Sequence, residues 1–315
     1  MQQRRVGATG LSVSRLGLGT MTWGRDTDEH EARDQLIAFA EAGGTFIDTA
    51  AGYGAGASEE LIGRLIGDVV ARDEVVLATK AGISARRGGR EYNTSRGHLL
   101  TTLDASLRRL GVGHVDLWQV HIWSDETPIE ETLAALDTAV GTGRASYVGI
   151  SNYSGWQTAQ AATWQRALPG RVPLASTQVE YSLLNRAVEL EVVPAARALG
   201  LGVLPWSPLG RGVLTGKYRS GTPSDSRAAS QHFSNFVGAY LDDRSAGIVE
   251  AVARAADGLG WTPLEVALAW VRDRPGVTAP ILGARTAAQL RGALGVEELV
   301  LPDEIATALD DVSAE

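Results

Sequence analysis

Residues 75–121, VVLATKAGISARRGGREYNTSRGHLLTTLDASLRRLGVGHVDLWQVH, contain the repeating unit that decides the fold. A short apolar run at 75–80 predicts a buried strand, an amphipathic run at 96–110 predicts a helix, and a second apolar run at 115–121 predicts another strand. Two buried strands joined through a helix are typical of a βαβ unit, in which the strands are parallel. The stretch therefore predicts an α/β protein.

The same alternation extends along the whole chain. Eight strands are predicted, at residues 16–18, 45–48, 75–80, 115–121, 146–151, 174–178, 202–206 and 277–282. Amphipathic runs of helix length lie between them, at residues 31–41, 58–66, 96–110, 129–140 and 189–198. Eight such units favour a closed (β/α)8 TIM barrel over an open doubly wound sheet, because no GxGxxG glycine fingerprint follows the first strand.

The segments outside this alternation complete the predicted architecture. The residues around Gly7 to Gly10 predict an N-terminal hairpin that plugs one end of the barrel, and residues 303–309 predict a short C-terminal helix. Residues 214–236 are rich in Gly, Ser, Asp and Arg and follow the seventh strand, so we expect a mobile lid there. No repeat or linker divides the chain, and we expect one domain spanning residues 1–315, since a single barrel needs roughly 250 residues.

The composition narrows the class of protein. The 315 residues include 29 basic and 37 acidic side chains, a formal net charge of −8, with no long basic run, which argues against nucleic acid or an anionic membrane as the main partner. There is no cysteine, and the five histidines never fall at the close spacing of metal ligands, so we expect no metal centre. Neither a signal peptide nor a run of ~20 apolar residues is present. We therefore expect a soluble cytoplasmic protein whose partner is a small molecule, while periodicity leaves the oligomeric state open.

Four polar residues, Asp48, Tyr53, Lys80 and His121, lie at or just past predicted strand ends. Side chains at the C-terminal ends of barrel strands converge on one face. A tyrosine has an ordinary pKa of about 10, so to give up its proton near neutral pH it needs a neighbouring cation or hydrogen-bond donor that favours the phenolate, which Lys80 and His121 can supply. A buried lysine in turn needs a carboxylate, which Asp48 provides. A structural ion pair with two ordinary rim residues would use the same side chains, but together they predict a proton-transfer site.

Longer motifs around these residues resemble the aldo-keto reductase family. They are LGLGTMTWG, FIDTAAGYG, LATKAG, VDLWQVH, GISNYS, STQVEYSLLNR, PWSPLGRGVLTGKY and ILGARTAAQL, which together cover nearly every predicted strand end. The chain is also similar to potassium-channel β subunits. The resemblance implies reversible reduction of an aldehyde or ketone, with Tyr53 as the general acid. It further implies that Lys80 and His121 tune this acid and orient the carbonyl, and that Asp48 is the partner of Lys80.

The resemblance also implies a nicotinamide cofactor bound across the barrel mouth without a Rossmann domain. Ser151, Asn152 and Gln178 follow the fifth and sixth strands, where they can bond the carboxamide, and Trp206 can stack on the nicotinamide ring. The segment SPLGRGVLTGK offers backbone N–H groups to the pyrophosphate. Arg285 opens a predicted helix and suits a 2′-phosphate, so we expect NADP(H) rather than NADH.

The predicted cofactor-binding set comprises residues of these motifs and three cations. Its members are Gly19, Thr20, Met21, Asp48, Ser151, Asn152, Gln178, Trp206, Ser207, Pro208, Leu209, Gly210, Gly212, Lys217, Arg227, Gly283, Arg285 and Gln289. The chain departs from the family pattern just beyond this set, because Gly292 and Ala293 stand where the family usually has Glu and Asn near the adenine.

The predicted substrate pocket is walled by aromatic residues. Its predicted contacts are Tyr53, His121, Trp23 and Trp123, with Met21 and Tyr92 as further candidates. An aromatic wall favours carbonyl compounds with apolar or planar groups.

Two other classes of function compete with this interpretation. A nucleotide-sensing regulatory subunit on the same scaffold would bind the cofactor with little turnover, but the channel subunits tend to have Asn where this chain has His121. A Schiff-base aldolase would use Lys80 as its nucleophile, and it would leave Trp206, Lys217 and Arg285 without a joint purpose.

Overall fold

The computed structural model describes residues 1–86, 89–223, 227–229 and 234–314, with the backbone alone described for residues 85, 86, 89, 90 and 227. The strands found there are β1 (Gln3–Arg5), β2 (Ser12–Ser14), β3 (Gly17–Gly19), β4 (Phe46–Asp48), β5 (Val76–Ala81), β6 (Ile83–Arg86), β7 (Gly89–Tyr92), β8 (Val115–Val120), β9 (Ala145–Ser151), β10 (Leu174–Glu180), β11 (Gly202–Trp206) and β12 (Ile281–Gly283). The α-helices found there are α1 (Glu29–Glu41), α2 (Ala57–Leu65), α3 (Arg96–Leu110), α4 (Ile129–Gly141), α5 (Gly155–Ala167), α6 (Val192–Ala198), α7 (Ser234–Gly238), α8 (Asp243–Leu259), α9 (Pro263–Arg272), α10 (Ala287–Leu294) and α11 (Asp303–Ser313).

Eight parallel strands form a nearly closed barrel. They pair in the order β11-β10-β9-β8-β5-β4-β3-β12, with the helices between them in sequence. The two outer strands approach each other through a single parallel bridge between Val203 and Val277, supported by a 2.8 Å hydrogen bond from the Thr278 amide to the Val203 carbonyl. The predicted (β/α)8 fold is therefore confirmed.

The predicted strand bounds differ from the observed ones most clearly at the last strand. The prediction was 277–282, whereas β12 spans only Ile281–Gly283 and Val277 makes the isolated bridge. Pro280 lies between them and has no N–H to donate, so the ladder is interrupted at this position.

Helix starts follow the expected capping chemistry. The Asp28 side chain accepts a hydrogen bond from the Glu31 amide at the start of α1. Ser154 and Thr262 open α5 and α9 with reciprocal capping boxes, and Pro263 occupies the first turn of α9. These caps satisfy amides that a helix start otherwise leaves without partners.

An N-terminal hairpin covers one end of the barrel, as predicted. Strands β1 and β2 pair antiparallel, and Val6, Leu11 and Val13 pack in one buried cluster with barrel residues such as Phe46 and Leu117. Because Phe46 begins β4 and Asp48 ends it, this cluster lies at the end of the barrel opposite the polar residues. The C-terminal helix α11 is longer than predicted and packs on α8.

A second hairpin, formed by β6 and β7, was not predicted. It follows β5 directly, and a Cβ atom placed on Gly52 would lie 2.8 Å from the Ile83 carbonyl oxygen. The hairpin therefore touches the segment that leads to Tyr53. Within 214–236, the structure has short 3-10 turns and α7, and residues 224–226 and 230–233 lie outside the described residues, so the mobile lid stays a prediction. Among the described helices, none has both the length and the apolar character needed to cross a membrane.

The hairpin contact can be tested by truncating one side chain. We expect Leu11→Ala to lower the free energy of unfolding by about 2 to 5 kcal/mol, because it leaves a cavity between the hairpin and the barrel. Leu190 is 78% exposed, so Leu190→Ala is the matched control and should change stability by less than about 0.5 kcal/mol. Urea unfolding measures both. Equal small effects would show that the hairpin does not pack as described.

Candidate active site

The four polar residues that the sequence singled out meet at the C-terminal ends of adjacent strands. Asp48 is the last residue of β4, Lys80 lies near the end of β5, and His121 follows β8 directly. Tyr53 opens a short 3-10 turn between β4 and α2. Since these strands are neighbours in the barrel, residues up to 73 positions apart in sequence, from Asp48 to His121, face one site.

Lys80 and Asp48 form a fully buried ion pair. The Lys80 Nζ lies 2.6 Å from Asp48 Oδ2, and Nζ also donates to the Thr49 carbonyl at 2.8 Å. The other carboxylate oxygen, Oδ1, accepts a hydrogen bond of 2.9 Å from Gln178 Nε2. Both oxygens of Asp48 therefore have partners, and the charges compensate each other where water does not reach.

The environment of Lys80 keeps its amine protonated. Burial by itself lowers the pKa of Lys80, but the Asp48 carboxylate and the Tyr53 hydroxyl act in the opposite direction, and the pKa is raised above its ordinary value. The net upward shift means that the site contains a fixed ammonium group beside Tyr53 at neutral pH.

Tyr53 lies between this ammonium group and His121. The Lys80 Nζ is 5.3 Å from the centroid of the Tyr53 ring, and the Tyr53 and His121 rings make an edge contact at 5.9 Å with an interplanar angle of 77°. The turn that carries Tyr53 continues through Gly54 and Ala55, both with positive φ (57° and 56°). This tight turn places the Tyr53 ring between the charged group and the imidazole.

A chain of hydrogen bonds connects His121 to the ends of β9 and β11. The Asn152 side chain donates to the His121 carbonyl at 2.9 Å, and its Oδ1 accepts from Trp206 Nε1 at 3.0 Å. Asn152 has φ 59°, a left-handed conformation that is uncommon outside glycine. Its backbone N–H donates to the Gln178 backbone carbonyl at 2.9 Å. Ser151 Oγ donates to the same carbonyl at 2.9 Å.

An open cavity of about 850 Å³ lies above these residues. Sixteen of the predicted cofactor-binding residues line it: Gly19, Thr20, Met21, Asp48, Ser151, Asn152, Gln178, Trp206, Ser207, Pro208, Leu209, Gly212, Lys217, Gly283, Arg285 and Gln289. Tyr53 and His121 line it as well. The structure therefore assembles most of the predicted set around one cavity.

Two predicted wall residues do not line this cavity. Trp23 is fully buried, and its indole N–H donates to Gln35 Oε1 at 3.1 Å, so the structure does not bring it to the cavity surface and its contact with substrate stays a prediction. Trp123 packs edge-on against Tyr153 and Trp156 at 5.1 and 5.3 Å and is outside the cavity lining, so its contact with substrate also stays a prediction.

Three further predicted positions behave differently from the rest. Tyr92 is 45% exposed on β7 and is absent from the lining. Gly210 is buried and does not line the cavity. A Cβ placed there would lie 2.5 Å from the Leu184 side chain, so the turn packs closely on Leu184 at this position. The side chain of Arg227 lies outside the described residues.

Several lining residues were missed from the sequence. They include cations, apolar groups and a serine outside the barrel strands, among them Arg25, Ile83, Ser84, Arg211 and Phe236. Arg211 stands inside the quoted motif SPLGRGVLTGK, and Arg25 directly follows LGLGTMTWG, so their positions beside motif residues were the available signal. Ile83 and Ser84 likewise follow the motif LATKAG directly, although the hairpin that carries them was not predicted.

The charge of the cavity suits an anionic ligand of extended shape. Among the described lining residues, the cations are Arg25, Arg211, Lys217 and Arg285, of which Arg25 pairs with Asp26 and Arg211 with Glu180, while the carboxylate of Asp48 is balanced by Lys80. Cationic clefts attract polyphosphates. Arg285 also lies two residues before α10, whose N-cap Thr286 accepts from the Gln289 amide. The lining residues therefore fit a dinucleotide with a charged phosphate end.

Gly292 and Ala293, the positions that depart from the family pattern, lie on α10. Ala293 lines the cavity, and no heavy atom lies within 4 Å of a Cβ placed on Gly292. Neither residue offers a polar side chain, which agrees with the departure from the family pattern seen in the sequence.

Comparison with known proteins is consistent with this geometry. Residues 15–314 match the family model described as Aldo/keto reductase family. An uncharacterized oxidoreductase of Bacillus subtilis, YrpG, is 39% identical over 99% of this chain and 96% of its own length. A probable voltage-gated potassium channel subunit beta of Oryza sativa is 35% identical (97% and 94%), and the L-glyceraldehyde 3-phosphate reductase of Escherichia coli K12 is also 35% identical (92% and 86%).

The family match covers nearly the whole chain, and these relatives align over most of both sequences. Together with the barrel, they show that the chain belongs to the aldo/keto reductase family.

Proposed function

We propose that this oxidoreductase uses NADPH to reduce an aldehyde or ketone to the alcohol, in a reversible reaction, with Tyr53 as the general acid. The observation that carries the proposal is the buried Lys80–Asp48 pair at the floor of a cationic cavity, directly beside the Tyr53 ring. An ion pair placed only for stability would not need a tyrosine and a histidine at the mouth of an open cavity.

Tyr53 is the proton donor in this proposal. The fixed ammonium group of Lys80 favours the phenolate that forms as Tyr53 gives its proton to the carbonyl oxygen of the substrate. Asp48 keeps Lys80 in place and balances its charge in the buried site. His121, in edge contact with Tyr53, orients the carbonyl, and the two side chains stabilise the negative charge that develops on its oxygen.

The residues at the ends of β9, β10 and β11 hold the nicotinamide end of the cofactor. Ser151, Asn152 and Gln178 each retain hydrogen-bonding capacity after their internal bonds are made, so they can bind a carboxamide. The Trp206 indole, fixed by Asn152, offers a flat face for the ring. When bound, the cofactor supplies the hydride.

Two cations hold the phosphate end. Lys217 is exposed, and a Cβ placed on Gly212 would lie 3.3 Å from Lys217 Nζ. The ammonium group therefore lies close to the backbone of the turn at Gly212. Arg285 lies at the start of α10, and its amide donates to Gln289 Oε1 at 3.0 Å. A guanidinium group at a helix start suits the 2′-phosphate that distinguishes NADPH from NADH.

The substrate is a carbonyl compound that fits a wall with few aromatic rings. Ala55 lies in the same turn as Tyr53, and Ile83, followed by Ser84, lies beside Gly52, so these three lining residues form the wall next to the turn that carries Tyr53. This wall is aliphatic with one hydroxyl, so planar aromatic substrates have no particular advantage. A panel of aliphatic, sugar-derived, phosphorylated and aromatic aldehydes and ketones therefore tests the substrate class.

Removing the Tyr53 hydroxyl tests the assigned acid. We expect Tyr53→Phe to lower the rate of NADPH-dependent reduction by about 10²- to 10⁴-fold, because the proton donor is lost, while the Kd for NADPH stays nearly unchanged. NADPH absorbance follows the reduction across the panel, and fluorescence titration gives the Kd. Tyr92→Phe, on an exposed residue outside the cavity, is the matched control and should keep full activity.

Two results would contradict this role. Equal losses of binding and turnover in Tyr53→Phe would make Tyr53 a binding residue. Tight NADPH binding by the unaltered protein without turnover of any carbonyl compound would favour a nucleotide-sensing subunit instead.

Removing the Arg285 guanidinium tests the choice of cofactor. We expect Arg285→Ala to weaken NADPH binding by about 10- to 100-fold and NADH binding far less, because only NADPH carries the 2′-phosphate. Arg291 lies on the same helix, is exposed and does not line the cavity, so Arg291→Ala is the control. Calorimetric titration of the unaltered protein and both variants with each nucleotide measures the six affinities. Equal weakening of NADPH and NADH would remove the phosphate role from Arg285.

A further inference from the structure

Arg211 lines the cavity, yet its side chain is held by protein groups on two different segments. Its Nε and Nη2 donate to the two carboxylate oxygens of Glu180 at 2.8 and 2.6 Å. Its Nη1 donates to the Phe236 carbonyl at 2.6 Å. The side chains of Arg211 and Glu180 are only 14% and 11% exposed, so this forked pair is screened little by water.

Two aromatic rings complete the surroundings of the guanidinium. Its carbon lies 4.0 Å from the centroid of the Phe236 ring and 4.8 Å from that of Tyr240. Burial and the nearby Glu180 carboxylate raise the pKa of Tyr240 to about 12, so its phenol is neutral. Arg211 is therefore bonded to the end of β10 and packed against α7 and the residues just after it.

The backbone of Arg211 is as unusual as its side chain. It has φ 60° and ψ 22° in the 3-10 turn Gly210–Thr215, where glycines precede and follow it. A left-handed conformation disfavours a residue with a side chain, so the contacts of that side chain must hold it there. The same turn belongs to the segment proposed to face the cofactor pyrophosphate.

The connected segments all border the cavity. Glu180 follows Gln178 by two residues on β10 and so lies on the same side of the strand, nearer the mouth. Phe236, on α7, lines the cavity itself. One side chain thus joins the phosphate-facing turn, the end of the strand that carries Gln178, and the helix that borders the opening.

We infer that Arg211 is a positioning residue that, oriented by Glu180, fastens α7 to the phosphate-facing turn and so slows the release of the bound nucleotide. This inference rests on the proposed function, because NADPH is the ligand. The clamp acts on nucleotide release and not on the hydride-transfer step, since Arg211 has no contact with Tyr53, Lys80 or His121 among the described contacts.

The substitution Arg211→Gly tests the clamp while sparing the turn. Glycine adopts φ 60° without strain, so the backbone conformation is kept and only the side-chain contacts are lost. Protein loaded with NADPH is mixed with excess NADP⁺, and the loss of NADPH fluorescence gives the dissociation rate. We expect the NADPH dissociation rate to rise by about ten-fold or more in Arg211→Gly. Most of the change in the Kd for NADPH should come from this faster dissociation and little from the association rate.

Single-turnover reduction by preloaded protein separates the clamp from chemistry. With the best carbonyl substrate of the panel, its rate in Arg211→Gly should stay within about two-fold of the unaltered protein. Arg219→Ala is the matched control, because Arg219 lies in the same connection and pairs with Glu250 at 2.7 Å on the exposed surface. It should leave NADPH release unchanged.

The outcomes separate this inference from the proposed function. If the unaltered protein fails to bind NADPH, both are overturned. If it binds NADPH and Arg211→Gly releases it at the unaltered rate, or if hydride transfer falls as much as release rises, only the clamp is overturned. Should Arg211→Gly fail to fold by circular dichroism, Glu180→Gln decides in its place, since it keeps the shape of the partner, removes its charge and should also speed release.

Discussion

The buried ion pair between Lys80 and Asp48 is the constraint on which the site depends. Burying two charged side chains costs desolvation free energy. The attraction between the charges offsets that cost only when they are in close contact and their other polar atoms have hydrogen-bond partners. The pair meets both conditions, with a 2.6 Å contact and further bonds to the Thr49 carbonyl and from Gln178. Three barrel strands supply these groups, so the register of the sheet and the chemistry of the site are fixed together. A slip of one residue in β5 would turn Lys80 out of the barrel.

Backbone strain is concentrated at the same end of the barrel. Among the described residues, the non-glycine positions with positive φ are Ala55, Asn152, Ser207 and Arg211, and all four line the cavity. Such conformations persist only where surrounding contacts determine them. Asn152 is held between His121 and Trp206, and Arg211 between Glu180 and α7. The barrel thus holds these cavity-lining residues in backbone conformations that would be unfavourable without the surrounding contacts.

The sequence predicted the frame well and the direction of single side chains less well. Apolar periodicity located the barrel strands, and the rule that strand ends converge brought Asp48, Tyr53, Lys80 and His121 together. Neither rule gives the orientation of a side chain in a loop, so Trp23 was predicted in the pocket although its indole bonds Gln35 inside the core. The β6–β7 hairpin carries no strong apolar alternation and was missed. The Arg211–Glu180 contact joins the turn after β11 to the end of β10, 31 positions away, a proximity that no local pattern encodes.

Direct hydride transfer to the carbonyl carbon is the central claim, and isotope tracing tests it most directly. NADPH is prepared with deuterium at one or the other of the two positions on C4 of the nicotinamide and incubated with the protein and the best carbonyl substrate of the panel. Because the proposed ring and carboxamide contacts fix which face meets the substrate, one labelled form should place a single deuterium on the carbinol carbon of the product, and the other should place none. Alcohol without deuterium from either form, or with deuterium from both, would contradict the mechanism.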